Sequence, residues 1–179
     1  MELVTTRLRI DALRPDDAAA LFAVRSDPAV ARYQGWRPAD LADAHAFINR
    51  QSPAATPSGW FQRAIRLRDD GRLIGDLGVN LPEDAMDSVE FGISLAPVGQ
   101  GRGYADEAAR ALFDHVFGRL GRHRVHASVD PRNLACLALL RSLGMRQEAH
   151  HRESLWLHGE WVDDVVFAML AREWPVTEP

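Results

Sequence analysis

The sequence contains no lysine, and all 21 of its basic residues are arginine. The simplest explanation is a GC-rich genome. One class of phosphate site is excluded at once, since the Gly-x-x-x-x-Gly-Lys-Ser/Thr loop of nucleoside triphosphatases requires a lysine. The chain also has no lysine of its own that could be acetylated.

Cysteine is nearly as scarce. Cys136 is the single one, which excludes an intramolecular disulfide and a cysteine-based metal cluster and fits a reducing compartment. Met1–Arg7 has no long apolar run, so we do not expect a signal peptide. No stretch approaches 18 apolar residues, so we expect no membrane partner and a cytoplasmic location.

Composition and charge indicate an ordinary soluble domain. The 179 residues are 46% hydrophobic and 26% charged, which predicts a single domain over residues 1–179. The formal net charge of −4 gives no electrostatic reason to expect a nucleic-acid partner.

Apolar spacing predicts an α+β fold with the order β-α-α-β-β-β-α-β-α-β-β. We expect strands over 6–10, 60–67, 73–81, 89–95, 124–129, 153–157 and 161–170. We expect helices over 15–24, 38–50, 105–120 and 133–143, the first of them stopped by Pro28. Residues 51–59 and 82–87 are predicted to be connections. Short turns join three consecutive strands, so the sheet should be mostly antiparallel.

A glycine loop, Gln100-Gly101-Arg102-Gly103-Tyr104-Ala105, follows the third strand of this meander and opens a helix. Glycines let the backbone approach a ligand, and the first N–H groups of a helix favour an anion. Arg102 adds a positive charge, so a pyrophosphate is the natural ligand. The spacing differs from Gly-x-Gly-x-x-Gly, which argues against a dinucleotide. From the glycines alone, a tight turn explains the loop equally well.

The glycine loop also fits a Gln/Arg-x-x-Gly-x-Gly/Ala signature, and other motifs accompany it in order. The chain resembles the GNAT superfamily of acetyl-CoA-dependent N-acetyltransferases, and within it the Rim-type branch, which acetylates N-terminal amines of ribosomal proteins. The accompanying motifs are Thr6-Arg7-Leu8, Asp16-Asp17, Ile74-Gly75-Asp76-Leu77-Gly78, Val89-Glu90-Phe91-Gly92, Glu107-Ala108, Asp130-Pro131-Arg132-Asn133, Leu143-Gly144-Met145 and Gly159-Glu160-Trp161-Val162-Asp163-Asp164.

The resemblance implies a three-layer α/β/α fold with a mixed, mostly antiparallel, splayed seven-stranded sheet and about four helices. Coenzyme A would lie between the strand that ends at Leu95 and the strand over 124–129. Its pantetheine arm would follow the backbone of Ile93, Ser94 and Leu95 and contact Asn133. Its diphosphate would bind the amides of Gln100, Gly101, Arg102, Gly103, Tyr104 and Ala105, with help from Arg141.

The implied reaction moves an acetyl group from acetyl-CoA to a primary amine by direct attack. The amine must lose a proton and the thioester carbonyl must be polarised. Glu90 is the candidate base, directly or through a water, although it could instead be a solvated strand carboxylate. Asp76 could hold a cationic amine or be a surface residue. The backbone N–H of Leu95 is the implied polariser of the carbonyl.

The leaving thiolate has no obvious acid. Many family members carry a tyrosine seven residues after the position of Asn133, where this chain has Leu140. The Rim-type branch carries a serine at the position of Cys136. A cysteine thiol, with a reference pKa of about 8.5, could donate the proton. It could equally be a small apolar filler.

The remaining candidates for chemistry are weaker. His123, His126, His150, His151 and His158 have no spacing typical of a metal site, so no metal is expected. Trp36, Trp60, Trp156 and Trp161 could line an acceptor pocket, but core or interface packing explains them as well.

Several alternatives stay open. The rival from another class is a non-catalytic sensor that binds acyl-CoA or a partner on the same fold. For an enzyme, the acceptor could be a peptide N-terminus, a free amino acid, a polyamine or an aminoglycoside. The C-terminal hairpin offers a surface for a homodimer.

Overall fold

In the residues that the structure describes, eight strands form one sheet. The computed structural model describes residues 1–51, 58–84 and 88–175. The strands are β1 (Leu3–Val4), β2 (Leu8–Ala12), β3 (Gly59–Leu67), β4 (Leu73–Leu81), β5 (Val89–Leu95), β6 (Arg124–Val129), β7 (Arg146–Leu157) and β8 (Glu160–Leu170). Their spatial order is β1-β2-β3-β4-β5-β6-β8-β7, with every neighbouring pair antiparallel except β5 and β6.

Helices cover both faces of this sheet. They are α1 (Ala18–Ser26), α2 (Pro28–Ala31), α3 (Leu41–Asn49), α4 (Tyr104–Phe113) and α5 (Leu134–Ser142). A π-helical segment, Asp114–Arg119, continues α4. Side-chain oxygens cap three of the helices, since Asp27, Asp40 and Asn133 accept hydrogen bonds from the first turns of α2, α3 and α5. No helix in the described ranges is long and apolar enough to cross a membrane.

Two apolar cores fix the three layers. On one face, Val89 and Phe91 of β5 pack with Phe113 of α4 and Leu140 of α5. On the other face, α1 and α3 pack over β3 and β4 in a smaller core. The three-layer α+β fold expected from the resemblance is therefore confirmed.

Two strands differ from the sequence-based expectation. The short β1, which pairs with β2 through Leu3 and Ile10, makes eight strands rather than seven. Two residues are too few for an alternating pattern, so nothing in the sequence predicted them. Strand β7 begins at Arg146 rather than at residue 153. It is the outer strand and is exposed over most of its length, so apolar alternation is missing there as well.

The helices differ mainly at their ends. Pro28 does not simply stop the first helix, because α1 ends at Ser26 and Pro28 begins the one-turn α2. Proline fits a first helical turn, whose N–H has no intrahelical partner. The predicted connections over 51–59 and 82–87 lie partly outside the described residues.

The sheet splits between β5 and β6. These strands pair only through Val89 with Val125 and Glu90 with His126. Beyond Glu90 the two strands share no further pairs, so a gap opens towards their carboxyl ends. The splay expected from the resemblance is therefore present.

A buried ionic network ties the first part of the chain to the sheet. Arg66 of β3 donates to Asp11 of β2 at 2.8 Å and to both carboxylate oxygens of Asp17 at 2.7 Å. All three side chains are at most 10% exposed. Burial opposes the charge of Asp17, but the hydrogen bonds from Arg66 and from the backbone N–H of Arg14, together with the charges of both arginines, outweigh it and lower the pKa of this carboxyl. Asp17 therefore depends on Arg66 as its ion-pair partner, whereas Asp11 also pairs with Arg9 and Arg14.

We expect Arg66→Met to lower the free energy of unfolding by about 3–5 kcal/mol, because it leaves the buried carboxylate of Asp17 without its cation and removes one of the cations that pair with Asp11. Urea denaturation measures the change. Arg72→Met is the control, since Arg72 lies 3.6 Å from Asp70 and both are at least half exposed. Such a surface pair contributes about 1 kcal/mol or less. If Arg66→Met and Arg72→Met lowered the free energy of unfolding equally, the stabilising role of the buried ionic network would be contradicted.

Candidate active site

A cleft of about 500 Å³ lies between the end of β5 and the start of α5. Four segments of the chain line it, and the glycine loop is one of them. The lining residues are Ile93, Ser94 and Leu95; Gly99, Gln100, Gly101, Gly103, Tyr104, Ala105 and Asp106; Arg132, Asn133, Leu134, Ala135, Cys136 and Leu139; and Ala29, Val30, Tyr33 and Gln34. The structure thus brings most of the predicted cofactor residues to one place.

The backbone of β5 presents alternate residues to the gap. Ala96 N donates to Ile74 O at 2.8 Å, which makes these two residues a hydrogen-bonded pair of the antiparallel ladder. Alternation along the ladder then directs the N–H and C=O groups of Leu95 and Ile93 away from β4, towards the gap. The backbone groups of Ser94 point to β4 instead, so Ser94 is not available to pantetheine through its backbone.

The glycine loop supplies free N–H groups. Gly101 and Gly103 have φ values of +70° and +77°, a conformation that glycine adopts without strain. No side chain caps α4, and within the described residues the N–H groups of 101–105 have no recorded hydrogen-bond acceptor. Gln100 is different, since its N–H donates to Pro97 O at 3.1 Å. Its side chain donates to Leu95 O at 2.9 Å and so ties the loop to β5.

One positive charge remains uncompensated at the loop. The first turn of α4 carries Asp106 and Glu107, which pair with Arg110 at 2.7 Å and Arg7 at 2.6 Å. The exposed Arg102 side chain has no hydrogen-bond or ion-pair partner among the described residues. An anion bound at the loop would therefore meet a net attractive field.

The start of α5 forms the facing wall. The side-chain oxygen of Asn133 accepts from Cys136 N at 3.1 Å, so only its NH₂ group remains for a ligand. Tyr33 donates to Arg132 O at 3.1 Å, which fixes α5 against the segment after α2. Sequence reasoning missed Tyr33 and Gln34, because this segment has no periodic pattern or motif.

Cys136 lines the cleft close to the capped end of α5. Burial raises the pKa of its thiol to about 11. Near neutral pH the side chain is therefore a protonated thiol, and it is a weaker acid than an ordinary thiol with a pKa of about 8.5.

Glu90 lies at the closed end of the gap, beside His126. Their Oε2 and Nε2 atoms are 3.7 Å apart. Burial, and then the charge of Asp164, raises the pKa of Glu90, which makes it a stronger base than an ordinary glutamate. Burial, and then Arg124, lowers the pKa of His126, so its neutral form is favoured. His126 was considered only as a metal ligand, because its pairing with Glu90 depends on the parallel β5–β6 contact.

Glu90 and Leu95, the predicted base and the predicted polariser of the carbonyl, lie far apart along β5. Leu95 is five residues from Glu90, or about 17 Å of extended strand. Ile93, whose N–H faces the same gap, is three residues away, or about 10 Å. Glu90 and the Leu95 N–H therefore cannot both contact one small reacting group directly.

Asp76 is not exposed, and it does not line the cleft. It is fully buried, and its carboxylate accepts from Arg25 Nε at 2.9 Å and from a terminal Arg25 nitrogen at 2.5 Å. Arg25 in turn donates to Gln34 at 2.8 Å. Both sequence interpretations of Asp76 were wrong, since this carboxylate supports a cleft wall through Arg25 and offers no free oxygen to an amine.

Arg141 does not line the cleft. It is exposed, and its guanidinium carbon is 5.9 Å from the centroid of the Phe167 ring. Its role beside the diphosphate stays a prediction.

The other singled-out side chains lie outside the cleft. Leu140 is buried in the core, so nothing there could replace the family's tyrosine. Trp36 stacks on Phe47 at 4.0 Å, and Trp156 meets Trp161 edge to face at 5.3 Å on the exposed hairpin. In the part of the chain that the structure describes, no three His, Cys, Asp or Glu side chains are grouped to hold a metal ion.

Comparison with known proteins now adds to this geometry. Residues 7–146 match the family model of the acetyltransferase (GNAT) domain. The chain belongs to the GNAT acetyltransferase family. Its enzymes are acyltransferases that use acetyl-CoA, which agrees with the donor and the reaction class inferred from the sequence.

Three relatives of this GNAT enzyme show how far the similarity extends. The uncharacterized N-acetyltransferase p20 of Bacillus licheniformis is 29% identical over 96% of this chain and 97% of its own. The [ribosomal protein uS5]-alanine N-acetyltransferase of Escherichia coli is 25% identical over 78% and 84%. The structure of Mycobacterium smegmatis RimJ in complex with CoA-disulfide is 26% identical, covers 94% and 84%, and has a TM-score of 0.81. The Rim-type resemblance is thereby confirmed.

We expect the alkylation rate of Cys136 by iodoacetamide to rise with pH until about pH 11, because only the thiolate reacts. Cys136 is the single cysteine, so mass spectrometry of the intact protein reports on it directly. A rate that levels off near pH 8.5 would show that burial does not raise this pKa. Denatured protein is the control, in which the ordinary thiol pKa should return.

Proposed function

We propose that this GNAT enzyme transfers the acetyl group of acetyl-CoA to a primary amine by direct attack of the amine on the thioester. The observation that carries the proposal is the splayed gap between β5 and β6, which runs into a loop of unpartnered N–H groups. Coenzyme A has a pantetheine arm with a diphosphate at one end. The arm matches the open strand edge, and the diphosphate matches the anion site at the loop.

The donor would extend from the gap to the loop. The strand edge at Ile93 and Leu95 would bind the amides of pantetheine, as a neighbouring strand would. The NH₂ group of Asn133 would add a hydrogen bond from the other wall. The loop N–H groups from Gly101 onwards and the Arg102 guanidinium would hold the diphosphate.

Glu90 would remove the proton of the attacking amine. Its raised pKa suits a general base, and its position at the closed end of the gap is within about 10 Å of Ile93. We therefore assign the polarising N–H to Ile93 when Glu90 acts directly or through one water. The predicted role of Leu95 as polariser would require a longer chain of waters.

The departing thiolate would receive its proton from the attacking nitrogen. The C–N bond forms and the C–S bond breaks, while the ammonium form of the acceptor gives one proton to Glu90 and a second to the thiolate. Transfer from Cys136 would be less favourable than transfer from an ordinary thiol, because burial raises the pKa of Cys136 to about 11. We therefore assign Cys136 a packing and hydrogen-bonding role beside the sulfur rather than that of a proton donor.

The acceptor would carry positive charge before it reacts. Glu90 and Asp164 have no arginine within ion-pair distance among the described residues, and Asp164 instead accepts from Ser128 at 2.6 Å. Gly92, between Glu90 and Ser94 on the same face of β5, leaves open space above the sheet. Since the Escherichia coli relative acts on an N-terminal alanine, a peptide N-terminus is the first acceptor to test, beside small amines.

The rival hypothesis is a non-catalytic sensor of acyl-CoA. The observation in its favour is that both acid positions are altered, with Leu140 buried and Cys136 weakly acidic. A sensor would bind coenzyme A and release none from acetyl-CoA with any amine.

A thiol-release assay with acetyl-CoA and a panel of amines tests the proposal. The panel comprises peptides with N-terminal alanine or serine, free amino acids, polyamines and an aminoglycoside. We expect continuous, amine-dependent release of free coenzyme A with at least one class. Binding of coenzyme A without turnover on any amine would favour the sensor, and absence of binding would reject both functions.

Glu90→Gln should lower kcat about a hundredfold, which is within the usual range for loss of a general base. In the parent, kcat/KM should rise with pH as Glu90 loses its proton, with a midpoint above that of an ordinary glutamate. This limb should disappear in the variant. Glu173→Gln, which removes a carboxylate that pairs with Arg146 away from the cleft, is the control. A Glu90→Gln profile that matches the parent would remove Glu90 as the base.

A further inference from the structure

Two motifs of the resemblance have no role in the reaction proposed above: Thr6-Arg7-Leu8 and Glu107-Ala108. They are 100 residues apart, and the structure joins them through an ion pair. We propose that Arg7 is a positioning residue for coenzyme A, because with Glu107 it holds the glycine loop in its anion-binding form. The identity of the ligand rests on the proposed function; the contacts do not.

The carboxylate of Glu107 is fully used by the segment before β2. It accepts from Thr5 Oγ1 at 2.5 Å, from Arg7 N at 2.9 Å and from Arg7 Nε at 2.6 Å. Burial opposes the charge, but the hydrogen bonds from Thr5 and Arg7 outweigh it and lower the pKa of Glu107. Glu107 therefore stays ionised and keeps Arg7 in place over a wide pH range.

From this anchor, the guanidinium of Arg7 reaches over the loop. One terminal nitrogen donates to Arg102 O at 2.9 Å, and the guanidinium carbon lies 4.6 Å from the centroid of the Tyr104 ring. The other terminal nitrogen is 3.4 Å from the point that a Cβ on Gly103 would occupy. Arg7 thus covers three consecutive residues of the loop.

The bond to the Arg102 carbonyl sets the direction of the next amide. In a trans peptide the C=O and the following N–H point to opposite sides. With the Arg102 oxygen held by Arg7, the N–H of Gly103 points away from Arg7, and Gly103 borders the cleft. Arg7 does not itself line the cleft, so it acts on the cofactor through the loop.

The loop has few other restraints. Its two glycines with positive φ have wide conformational freedom, and no side chain caps the helix that follows. The charge of Glu107 also lies in the first turn of α4, where it would repel a diphosphate. Arg7 cancels that charge, so its loss would change both the shape and the field of the anion site.

The experiment compares Arg7→Met, Arg7→Lys and Glu107→Gln with the parent enzyme. We expect Arg7→Met to raise the Kd for coenzyme A about tenfold, which corresponds to about 1.4 kcal/mol. It should raise KM for acetyl-CoA with little change in kcat. With S-acetylpantetheine, which lacks the diphosphate, all variants should have the kinetics of the parent. Arg7→Lys, which keeps the charge, should recover part of the affinity.

Arg146→Met is the matched control, since Arg146 bridges Glu173 at 2.8 Å on a partly exposed surface away from the loop. It should bind coenzyme A like the parent. Hydrogen exchange of a peptide that spans residues 99–106 gives a readout independent of turnover. Exchange there should be faster in Arg7→Met than in the parent or in Arg146→Met.

The outcomes separate this inference from the function on which it rests. A parent that binds no coenzyme A would refute the proposed function. The positioning role alone would be refuted if the parent binds coenzyme A and both Arg7→Met and Glu107→Gln bind it as tightly as the parent does. In that case hydrogen exchange of the 99–106 peptide would also match the parent. If Arg7→Met lost as much activity with S-acetylpantetheine as with acetyl-CoA, the variant would have a general defect in folding. That result would also overturn the positioning role of Arg7.

Discussion

The separation of β5 from β6 determines most of the site. The strands pair only at Val89–Val125 and Glu90–His126, and the cleft lies on the open side of that junction. Because the two strands are parallel, the segments that follow them leave the sheet at the same edge. The glycine loop and the capped start of α5 therefore become opposite walls of one cleft. The same junction brings Glu90 and His126 together at its closed end.

Arginine makes the ionic contacts that hold these parts in place. Its planar fork suits two-point binding of carboxylates, as Arg66 with Asp17 and Arg25 with Asp76 illustrate. The second pair reaches the cleft wall through Gln34. Since arginine pairs with so many of the carboxylates, a carboxylate near the cleft that has no arginine partner is a candidate for a chemical role. Glu90 is such a group, and its environment keeps its basicity high.

Local patterns predicted the local parts of the site. The alternation of 89–95, the glycine loop and the helix that begins near Asn133 depend on residues close together in the chain, and each lies at the cleft or leads to it. Predictions that depended on distant partners did less well. Asp76 is paired with Arg25 of α1, which lies 51 residues earlier in the chain, and no periodic pattern in the sequence predicts that contact.

Other differences have equally physical causes. The backbone groups of Ser94 point to β4 because of the hydrogen-bonding register between the two strands, which a single strand does not reveal. Arg141 was placed by analogy, and it does not line the cleft. The contact of Arg7 with Glu107 was present in the sequence as two separate motifs, and only the fold brought them together.

The unpaired strand edge at Ile93 and Leu95 also affects the protein before coenzyme A binds. An unpaired edge within a sheet is a template for pairing with another chain, which proteins usually cover or shorten. Here the edge is flanked by helices and opens into the cleft, so a flexible amide-bearing chain can reach it more readily than a folded strand. A bound pantetheine arm would then act as a ninth, non-peptide strand between β5 and β6. In that sense the cofactor would complete the sheet as well as take part in the reaction.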